Sequence, residues 1–217
     1  MQAYCSILVD LQHQPCLVVG GGKVAERKID TLLEYAARIT VVSPELTEKL
    51  AALEAKAIIR VYRRPFQAED LRTAFLVLAC TDSPDANRQI CEEAIRAGKL
   101  VNSAAPGEAG NVILPATLRR GRLTLSVSTL GASPSLAMAI RDQWEQEFGA
   151  EYEQYLEFLA EFRELVQKHI KDPCERRKWF KDMVHWDVLE AARNSRLQQL
   201  FEEKRSLLLQ SAAAPRG

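Results

Sequence analysis

A chain of 217 residues, 47% of them hydrophobic, with 29 basic against 29 acidic side chains, can bury a substantial core and has no charge excess to draw it to a polyanion. No apolar run approaches the roughly 20 residues of a membrane-spanning helix, and the start, MQAYCSILVDLQ, lacks the basic segment and long apolar core of a secretory signal. A cytoplasmic globular protein without nucleic-acid or membrane partners is the expectation.

Leu17, Val18 and Val19 form a short apolar run suited to a buried parallel strand, which breaks at Gly20, Gly21 and Gly22 and restarts as a helix from about Lys23. In this G-x-G-x-x-A pattern Gly20 gives the tight turn, Gly22 lets the backbone approach a pyrophosphate, and Ala25 is the small residue where helix packs on strand. Val24, Ile29, Leu32 and Leu33 fall on one helical stripe, so the free N–H groups of Lys23, Val24 and Ala25 would face a phosphate. Further strands at 39–42 and 58–62 continue the strand-helix alternation of a mononucleotide-binding half. The second strand runs into Ser43, Pro44 and Glu45, of which Glu45 is the nearest carboxylate for an adenosine ribose. No arginine follows to hold a 2′-phosphate, so NAD is the expected cofactor and NADP the alternative.

A fourth strand, 74–79, ends in Cys80-Thr81-Asp82-Ser83-Pro84-Asp85 and is followed by a helix through Asn87, Ile90 and Ala94. Asp82 or Ser83 before Pro84 is helix-capping chemistry, yet the same loop stands at the carboxyl end of a central strand, where open α/β sheets bind ligands. Thr81 and Asp82 are therefore read as serving both purposes. A fifth strand at 100–103 leads into the turn-rich AAPGEAGNVILP, a loop placed to cover substrate. Arg119-Arg120-Gly121-Arg122 reads as a turn before a strand at 123–129, whose Leu123, Leu125 and Val127 alternate with Thr124, Ser126 and Ser128. Ser133-Pro134 opens a helix carrying Leu136, Ile140 and Trp144 on one face. Beyond it lie charged amphipathic stretches, in which Tyr155, Phe158, Phe162 and Trp179 are packing or dimer-interface residues, and a tail at 212–217 expected to fray. The fold class is α/β: a Rossmann-like domain at 1–115, a small β-containing substrate or dimerisation segment at 116–148, and a helical domain at 149–217.

The five cysteines, Cys5, Cys16, Cys80, Cys91 and Cys174, are widely spaced with no C-x-x-C, and read as reduced core residues. His13, His169 and His185 have no metal-ligand spacing, so no resident metal is expected.

Several separate motifs occur in order: GGGKVAERK, the VVSP after the second strand, ACTD-x-x-x-x-N at 79–87, Val101-Asn102, the ILP at 113–115, and SVSTLGASPSLAMAIR. Together they resemble the precorrin-2 dehydrogenases, the dehydrogenase and ferrochelatase module of siroheme synthase in free-standing form. The resemblance implies oxidation of precorrin-2 to sirohydrochlorin by NAD+, insertion of Fe2+ in some members, and a homodimer. It further implies that an eight-carboxylate tetrapyrrole meets Arg120, Arg141 and the hydroxyls of Ser128, Thr129 and Ser133. The family's aspartate three residues after the position of Asn102 is Ala105 here, so beside Asn102 the candidate proton acceptors are Asp82 and Glu108. Leu130 likewise replaces a usual glycine. Two other readings stand: a non-catalytic tetrapyrrole binder or escort derived from the enzyme, and a nucleotide-sensing module sharing only the glycine fingerprint.

Overall fold

The computed structural model describes residues 4–104 and 110–213, so Ala105, Glu108 and the last four residues of the tail lie outside the described part. The chain divides into two compact units, Met1–Leu114 and Pro115–Gly217.

The first unit is built from β1 (Pro15–Val19), α1 (Lys23–Glu34), β2 (Arg38–Val42), α2 (Glu48–Ala55), β3 (Arg60–Tyr62), a 3-10 turn (Ala68–Leu71), β4 (Leu76–Ala79), α3 (Pro84–Arg96) and β5 (Leu100–Ser103). Its sheet is parallel throughout, in the order β3-β2-β1-β4-β5. From β1 the chain steps outward to β2 and β3, then returns to the other side for β4 and β5, so the order reverses between β1 and β4. A parallel sheet buried on both faces needs strands apolar at every position, which is why β1 and β4 read as continuous apolar runs. On one face Cys16, Val18, Ile39, Val41, Leu76 and Leu78 pack against Ala25, Ile29, Leu32 and Leu50. On the other, Leu17, Val19, Val42, Val77 and Ala79 meet Leu71, Ile90, Cys91 and Ala94. In register, Val42 pairs with Val19, Val19 with Ala79, and Ala79 with Ser103, so four carboxyl ends finish on one line.

The α1 stripe follows expectation except at Val24. Ala25, Ile29 and Leu32 are its buried residues, whereas Val24, about 100° round the helix from Ala25, is 38% exposed. At the free edge of β5 a returning segment replaces a sixth strand. Asn111 Oδ1 accepts from Val101 N at 2.7 Å, Asn111 Nδ2 donates to Lys99 O at 2.9 Å, and Val112 N donates to Val101 O at 3.1 Å.

The second unit opens with an antiparallel hairpin, β6 (Ala116–Arg120) and β7 (Leu123–Val127), followed by α4 (Pro134–Glu147), α5 (Glu151–His169), α6 (Pro173–Met183), α7 (Val188–Arg193) and α8 (Leu197–Ala213). Arg119 and Arg120, expected in a turn, are the end of β6, and the turn itself is only Gly121 and Arg122. Gly121 has φ +54°, as the first central residue of a tight hairpin turn requires. The hairpin tip packs on α5: a side chain at 121 would run into Glu153, and Arg122 pairs with Glu157 at 2.9 Å. On α4 the buried residue is Ala137, while Leu136, expected on the packed face, is 53% exposed. Phe158, Phe162, Val166, Ile170, Met183, Val188 and Leu208 form the helical core, where the Phe162 and Trp186 rings meet edge to face at 4.8 Å. Helix α8 continues through Ala213, so the first two residues of the expected frayed tail are helical. Cys16, Cys80 and Cys91 are buried free thiols; Cys5 and Cys174 are exposed, Cys174 because it falls on the solvent side of α6's first turn.

Candidate active site

At the reversal in strand order, the carboxyl ends of β1 and β4 border a cavity of about 410 Å³ lined by Gly22, Lys23, Val24, Thr81, Asp82 and Asn87 among others. The three consecutive glycines beside it have three different reasons to be glycine. Gly20 has φ +114°, and a Cβ there would overlap the Cys80 carbonyl, so the β1–α1 turn lies flush on the loop after β4. A Cβ on Gly21 would overlap the Glu45 carbonyl and come within 2.9 Å of Ser43 Oγ. Gly22 is unlike both: its φ is −85°, and the nearest atom to an added Cβ is Asp82 Oδ1 at 4.0 Å. Nothing in the protein forbids a side chain at 22, and that space belongs to the cavity.

Gly22 is also the N-cap of α1, and no side chain caps the helix. The first intrahelical bond is Glu26 N to Gly22 O at 3.0 Å, which leaves the N–H groups of Lys23, Val24 and Ala25 to be satisfied from outside the helix. The Lys23 ammonium, 82% exposed, pairs with Glu26 at 3.3 Å, and the Thr47 side chain and then Lys23 hold the Glu26 carboxyl below its ordinary range. Bare amides at a helix N-terminus, an adjacent cation and a backbone without a Cβ together fit a diphosphate.

The neighbouring turn is knitted to the glycines. Gly20 N donates to Val42 O at 3.0 Å, Thr47 N to Gly21 O at 2.9 Å, and the buried Ser43 hydroxyl to Glu45 O at 2.7 Å. Ser43, Pro44 and Glu45 thus flank the glycine turn on its β2 side, while Thr81 and Asp82 flank it on the β4 side. Burial pushes the Cys80 thiol up to about 11, so at this rim it is a neutral packing group, and burial also lowers Lys28 from its ordinary value.

Asn102 is half-buried on β5, where Nδ2 donates to Val112 O at 3.0 Å and Oδ1 is buried without a partner among the described residues. Glu108 lies outside the described residues. In the second unit, Ser128, Thr129 and Ser133 stand in one tight turn, each hydroxyl oxygen accepting a backbone N–H: Leu130 at 3.1 Å, Ser133 at 3.0 Å and Leu136 at 3.2 Å respectively. Among the described residues these three O–H groups have no acceptor, which suits them to a carboxylate. Leu130, at φ +52° and 50% exposed, holds a left-handed conformation that glycine would hold without strain. Arg120 and Arg141 come together through acids: Arg120 pairs with Glu145 at 3.3 Å, and Arg141 with Asp142 at 2.6 Å and Glu145 at 4.0 Å.

Asn87 also lines the cavity, although the sequence placed it only on the helix after β4 and at the end of the ACTD-x-x-x-x-N motif, with no site role. Asn87 is 2% exposed and makes three hydrogen bonds to Thr81. Its signal was a polar residue on the apolar stripe that α3 forms with Ile90, Cys91 and Ala94.

Comparison with known proteins agrees with this geometry. Residues 7–116 match the NAD_binding_7 family model, described as NAD(P)-binding, and residues 151–208 match the sirohaem synthase dimerisation region. A precorrin-2 dehydrogenase from Priestia megaterium is 37% identical over 163 residues, 75% of this chain and 80% of that protein. A siroheme synthase from Methylobacillus flagellatus is 37% identical over 177 residues, 82% of this chain but 38% of the longer protein. The solved structure of SirC, precorrin-2 dehydrogenase, superposes with a TM-score of 0.76 at 31% identity, covering 94% of this chain and 99% of that one. Likeness at this identity over most of a relative's own length goes beyond a shared sheet order, and the chain belongs to the precorrin-2 dehydrogenase family.

Proposed function

We propose that this chain oxidises precorrin-2 to sirohydrochlorin with NAD+, on the way to siroheme. The observation that carries the reading is the open Cβ position of Gly22 at the uncapped start of α1, within a chain of this family. Bound NAD+ supplies the hydride acceptor. The N–H groups of Lys23, Val24 and Ala25, with the Lys23 ammonium, hold its diphosphate against Gly20, Gly21 and Gly22. The turn of Ser43, Pro44 and Glu45 lies on the adenosine side, and Thr81 on the other. In the second unit the free O–H groups of Ser128, Thr129 and Ser133 hydrogen-bond substrate carboxylates. Arg120 and Arg141 supply positive charge there once their acidic partners yield.

Loss of a hydride from the macrocycle is balanced by loss of one proton. With alanine at 105, the carboxylates available to accept it are Asp82, beside Gly22, and Glu108, with Asn102 as a neighbouring hydrogen-bonding group. The dimerisation-region match supports a homodimer through the helical unit, to be read as twice the chain mass in sedimentation. No helix among the described residues is long and apolar enough to cross a membrane.

The test is an anaerobic assay in which precorrin-2, NAD+ and then Fe2+ are added in turn while the tetrapyrrole spectrum is followed. Oxidation that begins only on addition of NAD+ is expected, and a spectrum unchanged by NAD+ contradicts the reading. A further change on addition of Fe2+ would add metal insertion, with iron as substrate.

A further inference from the structure

Asn87 is buried, yet its side chain does not serve the core: among the described residues every bond it makes goes to Thr81 at the edge of the cavity. Asn87 Oδ1 accepts from Thr81 N and from Thr81 Oγ1, each at 2.9 Å, and Asn87 Nδ2 donates to Thr81 O at 2.9 Å. The backbone N–H and carbonyl of Thr81 fix which end of the amide is oxygen, because only one orientation satisfies both. The Thr81 hydroxyl hydrogen therefore has two acceptors within reach, Asn87 Oδ1 and, at 3.1 Å, Ser83 O. With its hydrogen taken on either path, Thr81 Oγ1 has only lone pairs to offer the cavity.

Which half of a dinucleotide meets those lone pairs follows from the strand order. The adenosine ribose of a dinucleotide lies at the end of the second strand, here Ser43 to Glu45, and the diphosphate at the glycine turn, so the remaining half lies on the β4 side with Thr81. The hydrogen-bond donors of that half are the carboxamide NH2 and the ribose hydroxyls. We infer that Asn87 is a positioning residue, fixing Thr81 Oγ1 as an acceptor for a donor on the nicotinamide half of the cofactor. The inference rests on the dinucleotide reading above.

Calorimetric titration of the full chain with NAD+, ADP-ribose and ADP tests it on wild type, Asn87→Ala, Thr81→Val and Thr81→Ser. Thr81→Val keeps the backbone clamp and the side-chain shape, so it remains informative if Asn87→Ala fails to fold. Both Asn87→Ala and Thr81→Val are expected to weaken NAD+ about tenfold, as loss of one good hydrogen bond does, while ADP stays within about twofold and Thr81→Ser binds NAD+ like wild type. Weakening of ADP-ribose in parallel identifies a ribose hydroxyl as the donor; unchanged ADP-ribose identifies the carboxamide. Either supports the assignment. Equal loss of NAD+ and ADP, or wild-type NAD+ affinity in Thr81→Val, overturns it while leaving the function standing. A folded wild-type chain that binds no NAD+ overturns both.

Discussion

Gly20 and Gly22 are two residues apart and indistinguishable by type, yet they answer to different constraints. At Gly20 the constraint is the fold: φ +114° with the Cys80 backbone where a Cβ would go. Alanine there combines a disfavoured conformation with a backbone overlap and is expected to cost more than about 3 kcal/mol. At Gly22 the backbone is ordinary and a Cβ meets nothing nearer than 4.0 Å, so Gly22→Ala trades a slightly poorer N-cap against lower unfolded-chain entropy and should change stability by less than about 1 kcal/mol. Thermal melting of the two variants checks the contrast, and equal losses would contradict it. The sequence pattern assigned Gly20 to the turn and Gly22 to the close approach because both roles are local. It was silent on why Gly21 is glycine, since the Glu45 carbonyl that excludes a side chain there comes from the next loop. Asn87 was named in a motif but left without a role for a related reason: Ser83 and Pro84 already explained the segment as a helix start, and a side chain's choice of partner is not visible in spacing.

Among the elements, β1 and β4 were legible because central strands buried on both faces carry apolar residues at nearly every position, while β2, β3 and β5, with Arg38, Arg60 and Asn102 in them, were read from short apolar runs and from the strand-helix alternation. β6 was not. Ala116–Arg120 buries only Leu118 fully and ends in two arginines, so it is held by pairing to β7 and by a glycine turn more than by an apolar run of its own. α1 was placed correctly, with Ile29, Leu32 and Leu33 on the packed side and Ala25 against the sheet as expected; only Val24 was put on the wrong side, because it is the larger apolar side chain beside Ala25. The 3-10 turn between β3 and β4 depends on charge. Asp70, its side chain 8% exposed, accepts from Arg64 at 2.6 and 2.8 Å and from Gln67 N at 3.0 Å. The Arg64 guanidinium holds the Asp70 carboxyl below the usual carboxylate range. A depressed carboxyl contributes stability that is complete above the unfolded value near 3.9 and is lost as pH falls through the lower folded value. Asp70→Asn should therefore cost about 2 kcal/mol at pH 7, and the gap to wild type should close below about pH 4. Denaturant melts across that range check it; a gap independent of pH would mean the ion pair contributes nothing.

At the scale of the molecule, the sequence announced a nucleotide-binding sheet followed by charged helices, and the boundary between units falls at Leu114 and Pro115. The hairpin with α4 and the C-terminal helices, read from the sequence as separate segments, fall in one compact unit, in which Gly121 lets the hairpin tip lie on α5. The turn at Gly121 was legible, but its contact with Glu153 joins residues far apart in the chain and has no local signature. The aromatic residues of the helical unit were legible as packing groups: Phe158 and Phe162 are core, and Tyr155 and Trp179 line it. The first unit on its own carries the central claim, that the turn at Gly22 holds a dinucleotide's diphosphate. The most direct test is calorimetric titration of NAD+ into the wild-type chain and into Gly22→Ala, both confirmed folded by melting. Saturable binding by wild type and affinity reduced at least about tenfold in the variant is the expected result; equal affinity in the two proteins, or no binding by either, would contradict the account.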